Sequence, residues 1–398
     1  MAFFDGLVQF PEDPIFNLPI LFAADQRPHK VNLGVGSYKD AEGLPFPIPA
    51  VTAAEKALLA SKRDRDYLPI AGDPLFIQAT KELIFGSEIL KTLSPKMFTA
   101  QTVGGTSALR IGGEFLSQEI SKTIFLPNPT WQNHKQTFNY SGMNAHFYQY
   151  YDDVACDIDF NGMCRSISEM PPGSTILLHA CCHNPTGMDP SMEHWHKLSK
   201  LILQQKVIPF FDLAYQGFKE SIDADAYPIR YFASEGHEML VANTFSKTFG
   251  LYGERVGSLT VVTHSQDTAT KGGSQIKQLI RGNYSNPPRH GAALIASILG
   301  SESLKNEWLK ELANMRGRLK DMRHTLIAGL QSGGHGRDWN FLNRQNGFFS
   351  FCGLNEAQVH RLIKEYGIYM PANGRINVAG LNGHNINYVI EAILKVEL

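Results

Sequence analysis

The sequence has almost no net charge. Its 37 Lys and Arg residues balance 38 Asp and Glu residues over 398 positions, for a formal net charge of −1. A chain without an excess of one sign has no long-range field to recruit nucleic acid or an anionic membrane. Small molecules are therefore the expected partners, and any anionic ligand must be held by a few local cations.

Long apolar runs and disulfide patterns are also missing. No run approaches the roughly 18 residues that a membrane-spanning helix needs, so no membrane partner is expected. Five cysteines are odd in number, and Cys181 and Cys182 are adjacent, which makes a poor disulfide framework. Residues 1–10 lack the basic leader and apolar core of a secretory signal. We expect a reducing compartment, the cytoplasm.

Internal repeats and Gly- or Pro-rich linkers are absent as well, although the length exceeds what one hydrophobic core usually organises. Two domains are expected. Pro11, Pro14 and Pro19 punctuate the first segment, which is predicted to be irregular at first and to pack against the tail of the chain or a partner subunit.

Short apolar runs follow one another in the middle of the chain, at residues 175–178, 207–211, 239–241 and 259–262. They are near-continuous rather than alternating, as in strands covered on both faces. A helix capped by Ser191 is predicted between the first two. Strands alternating with helices predict an α/β fold with a mostly parallel sheet, whose carboxyl edge lines the ligand crevice.

The last third of the chain has a different pattern. One long amphipathic helix, predicted to connect two domains, is indicated by apolar residues at alternating spacings of four and three: Trp308, Leu312, Met315, Leu319, Met322 and Leu326. Residues 348–351 and 375–378 are predicted strands, with a helix at 359–366 that ends at Gly367. This part is therefore expected to be a compact α+β unit.

Lys247 and Asp212 each follow a predicted buried strand. Burial favours a neutral lysine amine, which is the nucleophile that forms an imine with an aldehyde cofactor. A buried carboxylate needs a cation or hydrogen-bond donors, and a protonated pyridine nitrogen would serve. A surface lysine in a loop, and a carboxylate in a helix cap or ion pair, are the alternatives that these two residues alone leave open.

Several features could hold anions. The segment 104–107, Gly-Gly-Thr-Ser, opens an apolar helical pattern, so its free amides would favour a phosphate, although Gly-Gly also makes ordinary turns. Arg255 could grip phosphate oxygens or pair with Glu254. Arg281 and Arg375 could clamp two carboxylates, but an isolated arginine is more often a solvated surface group.

A metal site is not expected. His179, Cys181, Cys182 and His183 crowd together, but a strand turns alternate side chains to opposite faces, and the spacings are not those of structural zinc sites. Core packing is the expected role of both cysteines.

A series of motifs runs in order along nearly the whole chain: residues 31–36, 67–70 and 104–106, Trp131 with Asn133 and His134, residues 183–187 and 212–217, Ser246 with Lys247, Arg281 with residues 284–288, and residues 375–380. Together they closely resemble class I aminotransferases, in the aspartate and aromatic amino-acid branch of fold-type I pyridoxal-phosphate enzymes. The departures are modest: Thr244 where serine is usual, Gly104 where some members have serine, Gln132 for glycine or proline, and Gly253 for asparagine.

The resemblance implies a large domain with a mostly parallel seven-stranded sheet flanked by helices, and a smaller α+β domain. Residues 1–45 would form an N-terminal arm and part of the small domain, residues 46–314 the large cofactor-binding domain, and residues 315–398 the rest of the small domain. The active unit would be a homodimer with shared active sites.

The resemblance also implies the cofactor, pyridoxal 5'-phosphate, and the residue roles. The catalytic residues would be Lys247 as Schiff-base lysine and proton carrier, Asp212, Tyr215 and Tyr67. The cofactor would be bound by Gly105, Thr106, Trp131, His134, Asn184, Asp212, Tyr215, Thr244, Ser246, Lys247 and Arg255, with Tyr67 from the neighbouring subunit. The substrate would be bound by Gly36, Trp131, Asn184, Arg375 on its α-carboxylate, and Arg281 of the neighbour on its distal carboxylate.

The implied activity is reversible transfer of the amino group between aspartate, or another dicarboxylic amino acid, and 2-oxoglutarate, in ping-pong order through pyridoxamine phosphate. The nearest alternative is a broad aromatic aminotransferase acting on tyrosine and phenylalanine, which shares Arg281 and Arg375. More distant alternatives are a pyridoxal-phosphate-dependent lyase, which has less use for Arg281, and a non-catalytic cofactor-binding regulator, which would not need Lys247, Asp212 and Arg375 together.

Overall fold

The computed structural model describes residues 2–61, 65–333 and 336–397. Its strands are β1 (Val31–Asn32), β2 (Met97–Val103), β3 (Thr123–Asn128), β4 (Asn144–Gln149), β5 (Tyr151–Asp152), β6 (Asp157–Ile158), β7 (Thr175–His179), β8 (Ile208–Leu213), β9 (Met239–Thr244), β10 (Val256–Val262), β11 (Phe349–Phe351), β12 (Ile368–Tyr369) and β13 (Arg375–Asn377). Its α-helices are α1 (Pro14–Ala24), α2 (Pro49–Ala60), α3 (Pro74–Leu93), α4 (Gly104–Glu119), α5 (Asn133–Tyr140), α6 (Phe160–Ser168), α7 (Met192–Gln205), α8 (Ile222–Asp225), α9 (Tyr227–Ser234), α10 (Gln266–Asn283), α11 (Arg289–Leu299), α12 (Glu302–Ser332), α13 (Glu356–Tyr366) and α14 (Ile386–Glu397).

A seven-stranded sheet with the order β2-β10-β9-β8-β7-β3-β4 lies at the centre of the fold. The strands from β9 to β4 are paired in parallel, whereas β10 runs antiparallel to both of its neighbours. The predicted α/β fold with a mostly parallel sheet is therefore confirmed. The four apolar runs lie in β7, β8, β9 and β10, and Ser191 caps α7 by accepting a hydrogen bond from the amide of His194.

Helices cover both faces of this sheet. Phe210 and Phe211 are consecutive in β8, so their side chains point to opposite faces. Phe210 is buried in one core with Leu109 of α4 and Ile276 of α10, and Phe211 is buried in a second core with Trp195 of α7. The strands are apolar at nearly every position because both faces of the sheet pack against helices, and successive side chains point to alternate faces.

The long predicted helix is α12, and its buried face differs from the prediction at one position. The sequence pattern placed Met322 in that face, but Met322 is only partly buried, and Arg323 is buried instead. Both positions follow Leu319 at a spacing that keeps them on one side of a helix. The guanidinium of Arg323 finds backbone oxygen acceptors in the tail of the chain, which the apolar pattern could not reveal.

The α+β tail is confirmed, with strands slightly shorter than predicted. β11 pairs antiparallel with β13, and β12 pairs in parallel with β1, which joins the start of the chain to the tail. α13 ends at Gly367, whose φ of 65° is the left-handed conformation that glycine adopts without steric cost.

The chain is irregular at first, as predicted, but only up to Asp13, because α1 begins at Pro14 and contains Pro19. Proline is tolerated at the first helical position, and the Asp13 carboxylate caps the helix by accepting from two backbone amides. Packing against the tail is confirmed: the rings of Phe22 and Tyr369 meet edge to face at 5.7 Å. Within the described residues, no helix is both long enough and apolar enough to cross a membrane.

Trp308 connects α12 to the segment that follows β9. Its ring stacks on Phe249 at 4.4 Å, and its indole nitrogen donates to the carbonyl of Thr248 at 2.8 Å. We predict that Trp308→Ala lowers the free energy of unfolding by about 3–5 kcal/mol, because it leaves a cavity and an unpaired carbonyl. Urea unfolding measures this, with the exposed Glu307→Ala as control, expected within about 0.5 kcal/mol of the parent. Equal effects of the two changes would contradict the prediction.

Candidate active site

The polar residues at the predicted strand ends meet at one edge of the sheet. β7, β8 and β9 run in parallel and end there at His179, Leu213 and Thr244. β10 runs the other way, so its first residue, Val256, lies at the same edge, beside Val103 at the end of β2. Motifs that are far apart in the sequence therefore converge.

Lys247 lies just beyond β9, with its amine 5.1 Å from the centre of the Tyr215 ring. Burial lowers the pKa of Lys247 to about 8. The carboxylate of Asp212 opposes this shift, and the positive charges of Arg255 and Arg375 add to it. The amine is thus neutral to a useful extent near physiological pH, as a nucleophile toward an aldehyde must be.

Asp212 is held by a buried histidine. Nε2 of His134 lies 3.2 Å from Oδ2 of Asp212, and the hydroxyl of Thr130 lies 2.8 Å from Nδ1 of His134 and 3.3 Å from Nε2 of His179. Burial alone would raise the pKa of Asp212, but the hydrogen bond with His134 and the electrostatic interactions with His134, His179 and Lys247 outweigh it, and the pKa is lowered. Asp212 therefore presents an ionised carboxylate to the crevice.

The same residues are the one group among the described residues whose ligand atoms are close enough for a metal: those of His134, His179 and Asp212 lie within 4.8 Å of one another. The hydrogen bonds to Thr130 and Asp212 already occupy both ring nitrogens of His134, which leaves it no free lone pair for a cation. Cys181 and Cys182, considered for zinc in the sequence, are buried in the core as free thiols.

A cradle of donors surrounds the start of α4. Gly104 has φ of 74°, and a side chain there would collide with the guanidinium of Arg255. A Cβ on Gly105 would lie 3.1 Å from the Thr244 side chain. The hydroxyls of Thr244 and Ser246 are 3.0 Å apart, and Arg255 donates to Ser246 at 3.4 Å. Thr106 lies in the first turn of α4, whose free amides favour an anion. The donors and the space suit a phosphate.

Arg375 is a buried cation with one hydrogen-bond donor that has no partner. It donates to Oδ1 of Asn184 at 3.3 Å and to the carbonyl of Gly34, but its Nε is buried without a partner. Burial lowers its pKa to about 10, so it stays charged at neutral pH. Among the described residues it forms no ion pair with a carboxylate of the chain, and a carboxylate ligand would complete it.

Phe349 is a site residue that the sequence analysis missed. Its ring lies 4.1 Å below the guanidinium carbon of Arg375 and 5.8 Å from the ring of Tyr215, and a Cβ on Gly36 would lie 2.9 Å from it. It therefore contacts three of the predicted residues. The sequence marked it only as a strand residue, because nothing in an apolar run shows which side chain faces a ligand.

The remaining predicted residues divide into two groups. Trp131 is partly exposed and meets His134 edge to face at 5.1 Å, and Asn184 and Tyr215 are buried around Arg375 and Lys247, so these join the site. Burial raises the pKa of Tyr215 and keeps it a hydrogen-bond donor. Tyr67 and Arg281 lie apart: Tyr67 is 88% exposed at the rim of a surface cavity, and Arg281 is exposed and donates to Ser285.

Comparisons with known proteins agree on one family. The family model of aminotransferase class I and II matches residues 28–393. The aspartate aminotransferase of Escherichia coli (strain K12) is 44% identical over 394 residues, which cover 99% of this chain and 100% of that protein. The aromatic-amino-acid aminotransferase of Burkholderia pseudomallei, whose crystal structure is covalently bound to pyridoxal phosphate, is 42% identical with a TM-score of 0.96 over 100% of both chains. An aromatic amino acid aminotransferase from Psychrobacter sp. B6, cocrystallised with aspartic acid, is 39% identical with a TM-score of 0.96 over 99% of both chains.

The lowered pKa of Lys247 leads to a measurable pH dependence. In the apo-protein, covalent capture of pyridoxal phosphate, trapped by borohydride, is predicted to rise with pH and to be half-maximal near pH 8, because the neutral amine is lost below that pH. Asp212→Asn removes a charge that raises this pKa, so its midpoint is predicted to be lower.

Lys247→Ala is the control and is predicted to lose the site-specific capture, which peptide mapping identifies. A midpoint near the ordinary lysine value, or the same yield in Lys247→Ala, would show that the environment described for this amine is wrong.

Proposed function

The chain belongs to the family of class I and II aminotransferases, and from that premise we propose that it acts as an aspartate aminotransferase. It is a pyridoxal-phosphate-dependent transaminase of fold type I. The proposed reaction transfers the amino group reversibly between L-aspartate, or another dicarboxylic amino acid, and 2-oxoglutarate. One observation supports the proposal: three functional groups lie together in the site. They are the amine of Lys247 with its lowered pKa, the ionised carboxylate of Asp212, and the guanidinium of Arg375, whose Nε has no partner.

The residues of the site fit pyridoxal phosphate. When bound, this cofactor supplies an aldehyde that captures an amino group and a conjugated ring that accepts electrons released at Cα. The cradle around Gly105 and Ser246 would hold the phosphate, with Thr106, Thr244 and Arg255 as further donors. Asp212, kept ionised by His134, would hold a proton on the ring nitrogen.

The other side chains would bind substrate and move protons. Arg375 holds the α-carboxylate and thereby directs the Cα–H bond toward Lys247. The Lys247 amine would take the Cα proton as general base and return it as general acid. Tyr215 and Asn184 would donate hydrogen bonds to the cofactor, and Trp131 would pack against it. Gly36 would lie beside the substrate, and its lack of a side chain avoids a clash with the ring of Phe349.

We further propose a homodimer with shared active sites. The N-terminal arm exposes large apolar side chains, with Phe3 94% and Phe10 82% exposed, and so much apolar surface favours burial against another chain. Tyr67 and Arg281 are exposed and lie outside the active site of the single chain. In a two-fold dimer each could reach the site of the other subunit, Tyr67 at the phosphate and Arg281 at the distal carboxylate.

The domain boundaries at residues 45 and 314 belong to the same proposal, and α12 would run through the second of them. The cytoplasm is the proposed compartment, because all five cysteines are free thiols, three of them buried, and free thiols persist in reducing compartments.

A broad aromatic aminotransferase is the second candidate, favoured by the structural similarity to two aromatic enzymes. The discriminating measurement is kcat/KM of the holoenzyme with 2-oxoglutarate as acceptor and aspartate, tyrosine, phenylalanine or kynurenine as donor. We predict the highest value for aspartate. Comparable values for tyrosine and phenylalanine would assign the broad enzyme, and no transfer from any donor would favour a lyase or a regulator.

Arg281 is predicted to select the distal carboxylate. Arg281→Leu should lower kcat/KM for aspartate by about 100-fold, in line with the loss of a charged hydrogen bond of up to about 3 kcal/mol, and should leave phenylalanine little changed. The exposed Lys277→Leu in the same helix is the matched control for lost surface charge. Equal losses for both donors in Arg281→Leu would refute the assigned role.

A hybrid experiment tests whether Arg281 acts across subunits. Lys247→Ala and Arg281→Leu are each nearly inactive with aspartate, but in a mixed dimer one of the two sites would carry neither change. Random reassociation of equal amounts should then restore about a quarter of the parental activity. No recovery, with mixed dimers demonstrated by mass, would place Arg281 in its own subunit's site.

A further inference from the structure

Arg323 is an unusual residue for the middle of a helix. It is only 3% exposed, and among the described residues its guanidinium forms no ion pair with a carboxylate. Burying a charged group without a counter-ion costs free energy, and burial lowers the pKa of Arg323 to about 10. At neutral pH it remains charged, so the protein retains a cation where Leu or Met would suit the apolar face of α12.

All the acceptors of Arg323 belong to one short segment. Its Nε donates to the hydroxyl of Ser350 at 3.0 Å, and its NH2 group donates to the carbonyls of Gly347 and Phe349 at 2.7 and 3.3 Å. This segment contains β11, whose other edge pairs with β13, the strand that begins at Arg375. Arg323 therefore fixes β11 from the side of α12.

The segment matters because of the side chain of Phe349. In a strand, neighbouring side chains point to opposite sides, so the Arg323 contact with Ser350 leaves Phe349 on the side of the site. There the ring lies 4.1 Å from the guanidinium carbon of Arg375 and supports its flat face. The hydrogen bonds of Arg375 to Asn184 and Gly34 hold two of its guanidinium nitrogens. The Phe349 ring packs against the guanidinium plane and so limits its rotation, which sets the direction of the unpartnered Nε.

We propose that Arg323 is a positioning residue of the substrate-carboxylate site, which acts through β11 and the ring of Phe349 to orient Arg375. The proposal rests on the proposed function, in which Arg375 binds the α-carboxylate. Every amino-acid and 2-oxo-acid substrate carries that carboxylate. Loss of Arg323 should therefore weaken the binding of all of them alike, unlike loss of Arg281.

The test uses the holoenzyme with Arg323→Met and the conservative Arg323→Lys. Arg361→Met, at a partly exposed arginine of α13 paired with Glu365, is the matched control. The measurements are KM and kcat for aspartate and phenylalanine, and the Kd of succinate, an unreactive dicarboxylate, by calorimetry. Thermal unfolding of each variant is recorded in parallel.

For Arg323→Met we expect KM for both donors and the Kd of succinate to rise about tenfold, with kcat reduced much less. Arg323→Lys should recover part of the affinity, because an ammonium can reach one of the three acceptors but not all of them. A lowered thermal midpoint with unchanged KM and Kd would show a purely structural role and overturn the proposal. So would a loss in kcat alone.

A second variant covers the case in which Arg323→Met does not fold. Phe349→Leu removes the ring itself and should raise KM and the succinate Kd in the same pattern. The double variant Arg323→Lys/Phe349→Leu should then bind no worse than Phe349→Leu alone, because both changes act through one ring. Additive losses would overturn the proposal, whereas a parent enzyme that transaminates no donor would instead refute the proposed function.

Discussion

At the carboxyl edge of the sheet, one ionised carboxylate lies among several positive charges that the fold has partly removed from water. Asp212 opposes the deprotonation of Lys247, whereas burial and the charges of Arg255 and Arg375 favour it, and the balance leaves the amine with a pKa of about 8. The balance needs a water-poor crevice and an ionised Asp212, and His134 provides the second condition. The rest of the site can be understood from this charge arrangement, since the guanidinium groups of Arg255 and Arg375 and the unpartnered Nε of Arg375 suit an anionic cofactor and an anionic substrate.

The central part of the fold follows from the sequence because its signals are local. Apolar runs of strand length, the Ser191 cap and the glycine after α13 each depend on a few neighbouring residues, and each is found where predicted. The order of the strands is different. β10 lies between β2 and β9 and runs antiparallel to both, a pairing between distant segments that no apolar run specifies. Only the paired sheet brings Arg255 and the start of α4 to the same edge as Lys247.

Most residues of the site could be predicted because their motifs resemble those of a known family. Local sequence patterns alone predict only part of the site. The removal of Lys247 and Asp212 from most of the solvent follows from their positions close to the ends of apolar strands. Phe349 and Arg323 could not be identified, because their roles depend on which face of β11 meets which face of α12. The helix pattern admits both Met322 and Arg323 at the buried position, and the oxygen acceptors of the tail decide between them. Tyr67 and Arg281 are exposed and lie outside the site of the single chain, so the contacts of the chain itself assign neither of them a role.

The most direct test of the account is a single turnover without an acceptor. Aspartate added to the holoenzyme should release one equivalent of its 2-oxo acid per Lys247 and then stop, since the amino group stays on the enzyme until an acceptor arrives. Addition of 2-oxoglutarate should restart the release and form glutamate in equal amount. Continuous product formation from aspartate alone, or no product even with the cofactor bound at Lys247, would contradict the assignment of this site to transamination.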